Sequence, residues 1–350
     1  MDVAYGSKQG SRSSRPGTVR RRRGGGRKIA ALDLGTNNCR LLIARPTQDG
    51  FVVVDGFSRI VRLGQGLEAT GVLGETAMRR TVDALAVCAA KIRRHRVARA
   101  RYVATEAARR AANCSGFLDR VAAETGIELD IISSREEATL TLMGCLPLFD
   151  PELPYGLIFD VGGGSAELVW LRVAGRNGPD ILGWISLPLG VVTLTERHGP
   201  EDFTVEEYEA IVAEVEAMLA PFDSEHGIRR EIERGRMQML GTAGTVTTIA
   251  GVNLGLRRYN RALVDGSYLT FDQIGRISRQ LSRSTYAERA AHPSIGRGRA
   301  DLVVAGCAIL EAICRTWPAG RLRVADRGVR EGILLQLAAE FGAGPAHGRA

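Results

Sequence analysis

Asp160 stands at the end of a short apolar run beginning at Leu157, and Gly162, Gly163, Gly164 and Ser165 follow it. Glu167 then opens a second apolar run that ends at Leu171. Glycines let the backbone turn with positive φ and admit a ligand closely, because no Cβ stands in the way. Successive N–H groups in such a turn form a concave anion site. Two carboxylates flanking that site suit a hard cation that travels with the anion, as Mg²⁺ does with phosphate. A tight hairpin needs the same strand, glycine turn and strand, so this stretch alone leaves both readings open.

The template occurs twice. Asp33 ends an apolar run from Ile29, and the turn Gly35, Thr36, Asn37, Asn38 leads into a second one. Asp33 and Asp160 are 127 positions apart. A third glycine turn holds Gly241, Thr242, Ala243 and Gly244 within the stretch Met237–Gly251, which reads as a glycine-turn strand. A duplicated strand, phosphate loop and strand predicts two related domains facing each other, with a phosphate chain held between the loops. Between them lies SSREEATLTLMG, positions 133–144, which reads as a helix start. Ser134 with Glu137 three residues on fits a capping box, a purely structural use for that glutamate.

The elements that must position these residues follow from periodicity. Strands are expected at Phe51 onward, Arg101–Thr105, Glu128–Ser133 and Leu322–Ala325. Helices are expected at Glu75–His95, Phe117–Glu124, Val205–Leu219, Asp301–Cys314 and Glu331–Phe341. At 350 residues the chain has room for about two domains at ~150 residues each. The division read here is 29–135 for domain I, completed by a C-terminal helix at 331–345, and 136–330 for domain II.

No apolar run approaches the ~20 residues that span a bilayer, and the N-terminus has no secretory character. Six scattered cysteines without a CxxC pair read as reduced, buried thiols of a cytoplasmic protein. Residues 1–28 hold nine Lys or Arg against Asp2, which equals the whole chain's +8, so the other 322 residues sum to zero. This segment is rich in Gly, Ser and Arg and reads as a disordered basic tail. Such a tail can hold polyanions, nucleic acid included, or serve only as a solubilising leader.

In order, AALDLGTNNCRLLIAR, RLGQGL, VATEAARRA, ISSREEATLTLMG, FDVGGGSAELV, SLPLGVVTLTE, LGTAGTVTTIAG, GRADLVVAGCAIL and ADRGVREGIL cover roughly Ile29 to Leu335. This series resembles the Ppx/GppA family of exopolyphosphatases and guanosine pentaphosphate phosphatases. The resemblance implies an α/β chain with the actin-like ATPase and sugar-kinase (ribonuclease H-like) fold. It implies a Mg²⁺-dependent hydrolase, with Mn²⁺ able to substitute, that removes terminal phosphate from polyphosphate or from guanosine pentaphosphate. By position, Glu137 matches the catalytic base, and Glu137, Asp160 and Glu167 the metal-holding carboxylates. Gly162–Ser165 and the turn after Asp33 match the phosphate loops, the turn Gly241–Gly244 a third, and Arg62 and Arg109 match phosphate contacts. The longer members carry a helical domain of the HD type. A chain ending at Ala350 reads as the short form, with a homodimer supplying any extended substrate channel. Kinases and ATPases of the same fold, and a non-catalytic sensor of polyphosphate or guanosine penta- or tetraphosphate, are the other readings; the Glu136–Glu137 pair favours the phosphatase.

Overall fold

The computed structural model describes residues 27–175, 178–199 and 203–342. Most of the basic tail, residues 1–26, lies outside the described residues, as do 343–345 of the expected C-terminal helix. Two mixed sheets form the framework. The first has the order β3-β2-β1-β4-β5, and the second β10-β11-β9-β6-β7-β8. In the first, β1 (Lys28–Leu34), β2 (Asn38–Thr47) and β3 (Gly50–Ile60) run as an antiparallel meander, and β4 (Val97–Ala104) joins β1 in parallel. β5 (Asp130–Ile131) closes that sheet.

The second repeats the scheme. β6 (Tyr155–Val161), β7 (Ala166–Gly175) and β8 (Gly178–Leu187) form the meander, and β9 (Met237–Thr242) joins β6 in parallel. β10 (Tyr268–Thr270) and β11 (Arg321–Val324) extend it beyond β9. Because side chains alternate along a strand, Ala30, Leu32 and Leu34 of β1 face the Glu75–His95 helix while Ile29 and Ala31 face the C-terminal helix Val329–Gly342.

Two helices occupy the space between the sheets. The Ser134–Cys145 helix sends Leu140 to the first sheet's core and Ala138, Leu142 and Cys145 to a core built on Ile158, Val169 and Leu240 of the second. The C-terminal helix packs against it closely: a Cβ on Gly332 would lie 2.1 Å from the Leu140 carbonyl oxygen. All six cysteines are buried free thiols. No helix among the described residues is long and apolar enough to cross a membrane.

Several boundaries move, with physical reasons. Only Asp130–Ile131 of the expected strand 128–133 pairs, since β5 is an edge with one neighbour and the next helix begins three residues later. The Val205–His226 helix runs past Leu219 and through Pro221, because Leu219 and Phe222 are both buried on one core. Met237–Gly251 is not a glycine-turn strand. It is β9 followed by the helix Ala243–Asn253, whose Val246, Ile249 and Ala250 recur at helical spacing and are buried.

Candidate active site

The two Asp-led hairpins build the same turn. In the first, the Gly35 N–H donates to the Asn38 carbonyl at 2.9 Å; in the second, Gly162 N–H donates to the Ser165 carbonyl at 2.9 Å. Register places Asp33 across from Arg40 and Asp160 across from Glu167. Each loop is also gripped from behind by its carbonyls. Asn37 O accepts from the N–H groups of Val61 (2.9 Å) and Arg62 (3.0 Å), and Thr36 O from Gly64 (2.9 Å). Gly162 O and Gly163 O accept from Val191 (3.0 Å) and Val192 (2.7 Å), the first residues of the Val191–His198 helix. With the carbonyls pinned on one side, the loop N–H groups are left to face the other, which is the geometry of an anion nest.

The loops lie against each other. A Cβ on Gly164 would come within 2.8 Å of Thr36 Oγ1, and one on Gly163 within 3.0 Å of Thr36 Cβ. Beneath them Gly190 passes so near that a Cβ would lie 2.5 Å from both the carbonyl carbon and oxygen of Gly163. Glycine is required here by contact with backbone, which cannot swing aside.

Four carboxylates gather behind this seam. Burial raises Glu137 well above the ordinary range, and the nearby Glu167 and Asp33 add to it against the opposing pull of Arg109. Glu167 is pushed up to about 7, chiefly by burial and also by Asp160, although hydrogen bonds from Ser165 and Ser186 pull the other way. Burial brings Asp160 to about 6, with Arg40 opposing and Asp33 adding. Asp33 is raised for the same first reason.

Ser133, not Ser134, caps the helix that carries Glu137: its Oγ accepts from the Glu136 N–H at 3.2 Å. The capping role expected of Glu137 therefore disappears. Its Oε2 accepts from Arg109 Nη1 at 2.9 Å instead. Arg109 also donates to Glu106 Oε2 (2.8 and 3.0 Å) and to the Ile132 carbonyl (2.9 Å), so it orders Glu137 while most of its donors are engaged. The side chain of Arg62, an expected phosphate contact, is engaged elsewhere in this structure. Its side chain crosses to Asp301 at 2.6 and 2.9 Å, and its backbone supports the first loop. In the third turn, Thr242 lies beside Asp160 and donates to the Arg327 carbonyl at 2.5 Å. Gly241 is packed under Phe159 within β9, which leaves Ala243 and Gly244 at the accessible end.

The donor set suits a hard divalent cation: carboxylate oxygens, with more negative charge than Arg40 and Arg109 neutralise. Among the described residues no three such groups converge on one ion. The protein would then supply one or two ligands and leave the rest to water and phosphate, as Mg²⁺ prefers. Two buried oxygens without partners, Asn37 Oδ1 and Thr141 Oγ1, also mark the site as polar and incomplete. Sequence reasoning passed over Arg40, Glu106, Thr141 and Asp301. For Arg40 a signal existed, since it holds the position in the first hairpin that Glu167 holds in the second.

A duplicated mixed sheet with facing Asp-led glycine loops and four buried carboxylates defines an α/β protein of two related units. Within that class the chain belongs to the Ppx/GppA phosphatase family, whose pattern matches residues 42–341. It is 32% identical over 326 residues to exopolyphosphatase 2 of Mycobacterium tuberculosis, covering 89% of this chain and 98% of that one. It is 26% identical to the guanosine-5'-triphosphate,3'-diphosphate pyrophosphatase of Photobacterium profundum, covering 88% of this chain and 59% of the relative. Among solved structures, an exopolyphosphatase from Cytophaga hutchinsonii superposes with a TM-score of 0.81 at 25% identity, covering 90% of this chain and 98% of that one.

Proposed function

We propose that this chain is an exopolyphosphatase in which Glu137 activates the attacking water. The observation that carries the reading is Glu137 itself: a buried carboxylate, oriented by Arg109, placed with Asp33 and Glu167 behind two N–H loops. Glu137 takes a proton from water as the water oxygen bonds to the terminal phosphorus. The bridging P–O bond breaks, and the shortened chain leaves with that oxygen. The loops of Gly35–Asn38 and Gly162–Ser165 bind the non-bridging oxygens, which is the positioning that phosphoryl transfer requires. Of Asp160, Glu167 and Glu137, one or two would hold Mg²⁺ or Mn²⁺ directly and the remainder through water, and a bound ion neutralises charge on the phosphate oxygens.

The second reading is removal of the 5'-terminal phosphate of guanosine pentaphosphate, favoured by the match to the Photobacterium relative. The reading further includes a cytoplasmic homodimer, a division into units 29–135, completed by the C-terminal helix 331–345, and 136–330, and a basic tail that holds polyanions. Phosphate release from long polyphosphate, short polyphosphate, guanosine pentaphosphate and ATP, compared on one sample, separates the substrates. In the same assay Glu137→Gln is expected to lower turnover by about 10²–10⁴. Its melting temperature should change little, since Arg109 keeps Glu106 and the Ile132 carbonyl. Turnover within a few-fold of wild type refutes the base.

A further inference from the structure

We infer that the pole of the molecule where the chain enters its first sheet is a nucleic-acid-binding face that takes the phosphate backbone of a duplex. It adds to the hold on polyanions proposed for the tail a second, independent face built from residues 28–96. The zero sum beyond the tail conceals an imbalance: residues 29–135 carry sixteen Lys or Arg against eleven Asp or Glu, and 136–350 carry twenty-two against twenty-seven.

The fold gathers much of the first excess at one end. Lys28 begins β1, and the pairing of Ile29 with Ala44 brings Arg45 of β2 beside it. The Glu75–His95 helix ends here with Arg93, Arg94 and His95, followed by Arg96 at φ 50°. Lys28 and His95 approach to 3.3 Å between Nζ and Nδ1. One carboxylate, Asp55, serves Lys91 (3.0 Å), Arg94 (2.9 Å) and His95 (2.8 Å) together. Arg45, Arg93 and Arg96 are exposed and form no ion pair among the described residues.

A helix C-terminus attracts cations. That accounts for Arg93 and Arg94, and not for Lys28 and Arg45, which arrive on strands. Like charges held this close are favourable once a polyanion neutralises them. The face is distinct from the proposed phosphate site, because Asp33 lies five positions along β1 from Lys28, roughly 16 Å at ~3.3 Å per residue. Among the described residues it presents no exposed aromatic ring for base stacking, so it suits paired phosphate rails over single-stranded bases.

The test is fluorescence anisotropy of the full chain with labelled DNA and RNA duplexes of about 20 base pairs, between about 50 and about 200 mM salt. The triple variant Arg45→Glu, Arg93→Glu, Arg96→Glu is expected to weaken binding at least ~10-fold. It should also flatten the slope of log affinity against log salt by about 3, at ~0.9 per phosphate contact. Phosphate release and melting temperature should stay at wild-type values. A chain lacking residues 1–26 should bind more weakly than wild type and retain the loss on triple substitution. Unchanged affinity in the triple variant overturns the face and leaves the tail reading standing. Unchanged affinity in the truncated chain removes the tail and leaves the face. Preference for polyphosphate over duplex at equal phosphate concentration overturns the nucleic-acid assignment.

Discussion

Glu167→Gln isolates the electrostatic burden of the site. Glu167 has an ordinary value of 4.5 and lies at about 7 in the folded protein. That difference is worth about 3 kcal/mol at ~1.4 kcal/mol per pKa unit. The sign follows from proton binding. The folded state holds the proton more tightly than the unfolded one, so this stability is fully present below 4.5 and lost as pH rises through about 7. Glutamine keeps the shape, can still accept from Ser186 Oγ, which lies 3.0 Å from Glu167 Oε1, and carries no charge. Without divalent cation at about pH 8, the variant should therefore melt above wild type. For a chain of this size ~2 °C per kcal/mol gives a gap of about 6 °C. The gap should close to about a degree near pH 4, where both carry a neutral group. Millimolar Mg²⁺ at the higher pH should stabilise wild type more than the variant. Melting curves across that range decide the matter. An equal difference at both pH values, or a variant less stable at the higher one, would refute the claim that buried charge destabilises this site.

The other two perturbations probe geometry. Gly190→Ala places a Cβ 2.5 Å from the Gly163 backbone, so it should cost ~1–3 kcal/mol and reduce phosphate release more than tenfold; wild-type melting and turnover together would show that the loops are not held from below. Asp301→Asn weakens the hold on Arg62, a pair 32% and 10% exposed. With Arg62 freed to meet phosphate, KM for polyphosphate should fall about two- to fivefold at constant kcat and less than ~1 kcal/mol of stability. A rise in KM would mean that Arg62 serves the site only by bracing it.

Features of this protein that depend on local chemistry are legible in the order of its residues. Apolar runs ending in Asp33 and Asp160, each followed by a small-residue turn, specify hairpins wherever they are placed. Their duplication predicts the paired sheets, and the Glu75–His95 helix was legible to its ends from apolar periodicity. Tertiary structure decided what depends on approach between distant segments. Val61, Arg62 and Gly64 hold one loop by its carbonyls, and Val191 and Val192 hold the other; a backbone N–H has no signature in residue type. Arg62 faces Asp301, 239 residues away, for the same reason. The one-residue shift of the cap to Ser133 released Glu137 to Arg109, a choice between two adjacent serines that only the path of the chain after β5 could make. Charge shows the division most plainly. Summed along the sequence it vanishes beyond the tail, whereas in space Lys28, Arg45 and the Arg93–Arg96 turn meet at one pole, because potential depends on distance and composition carries none.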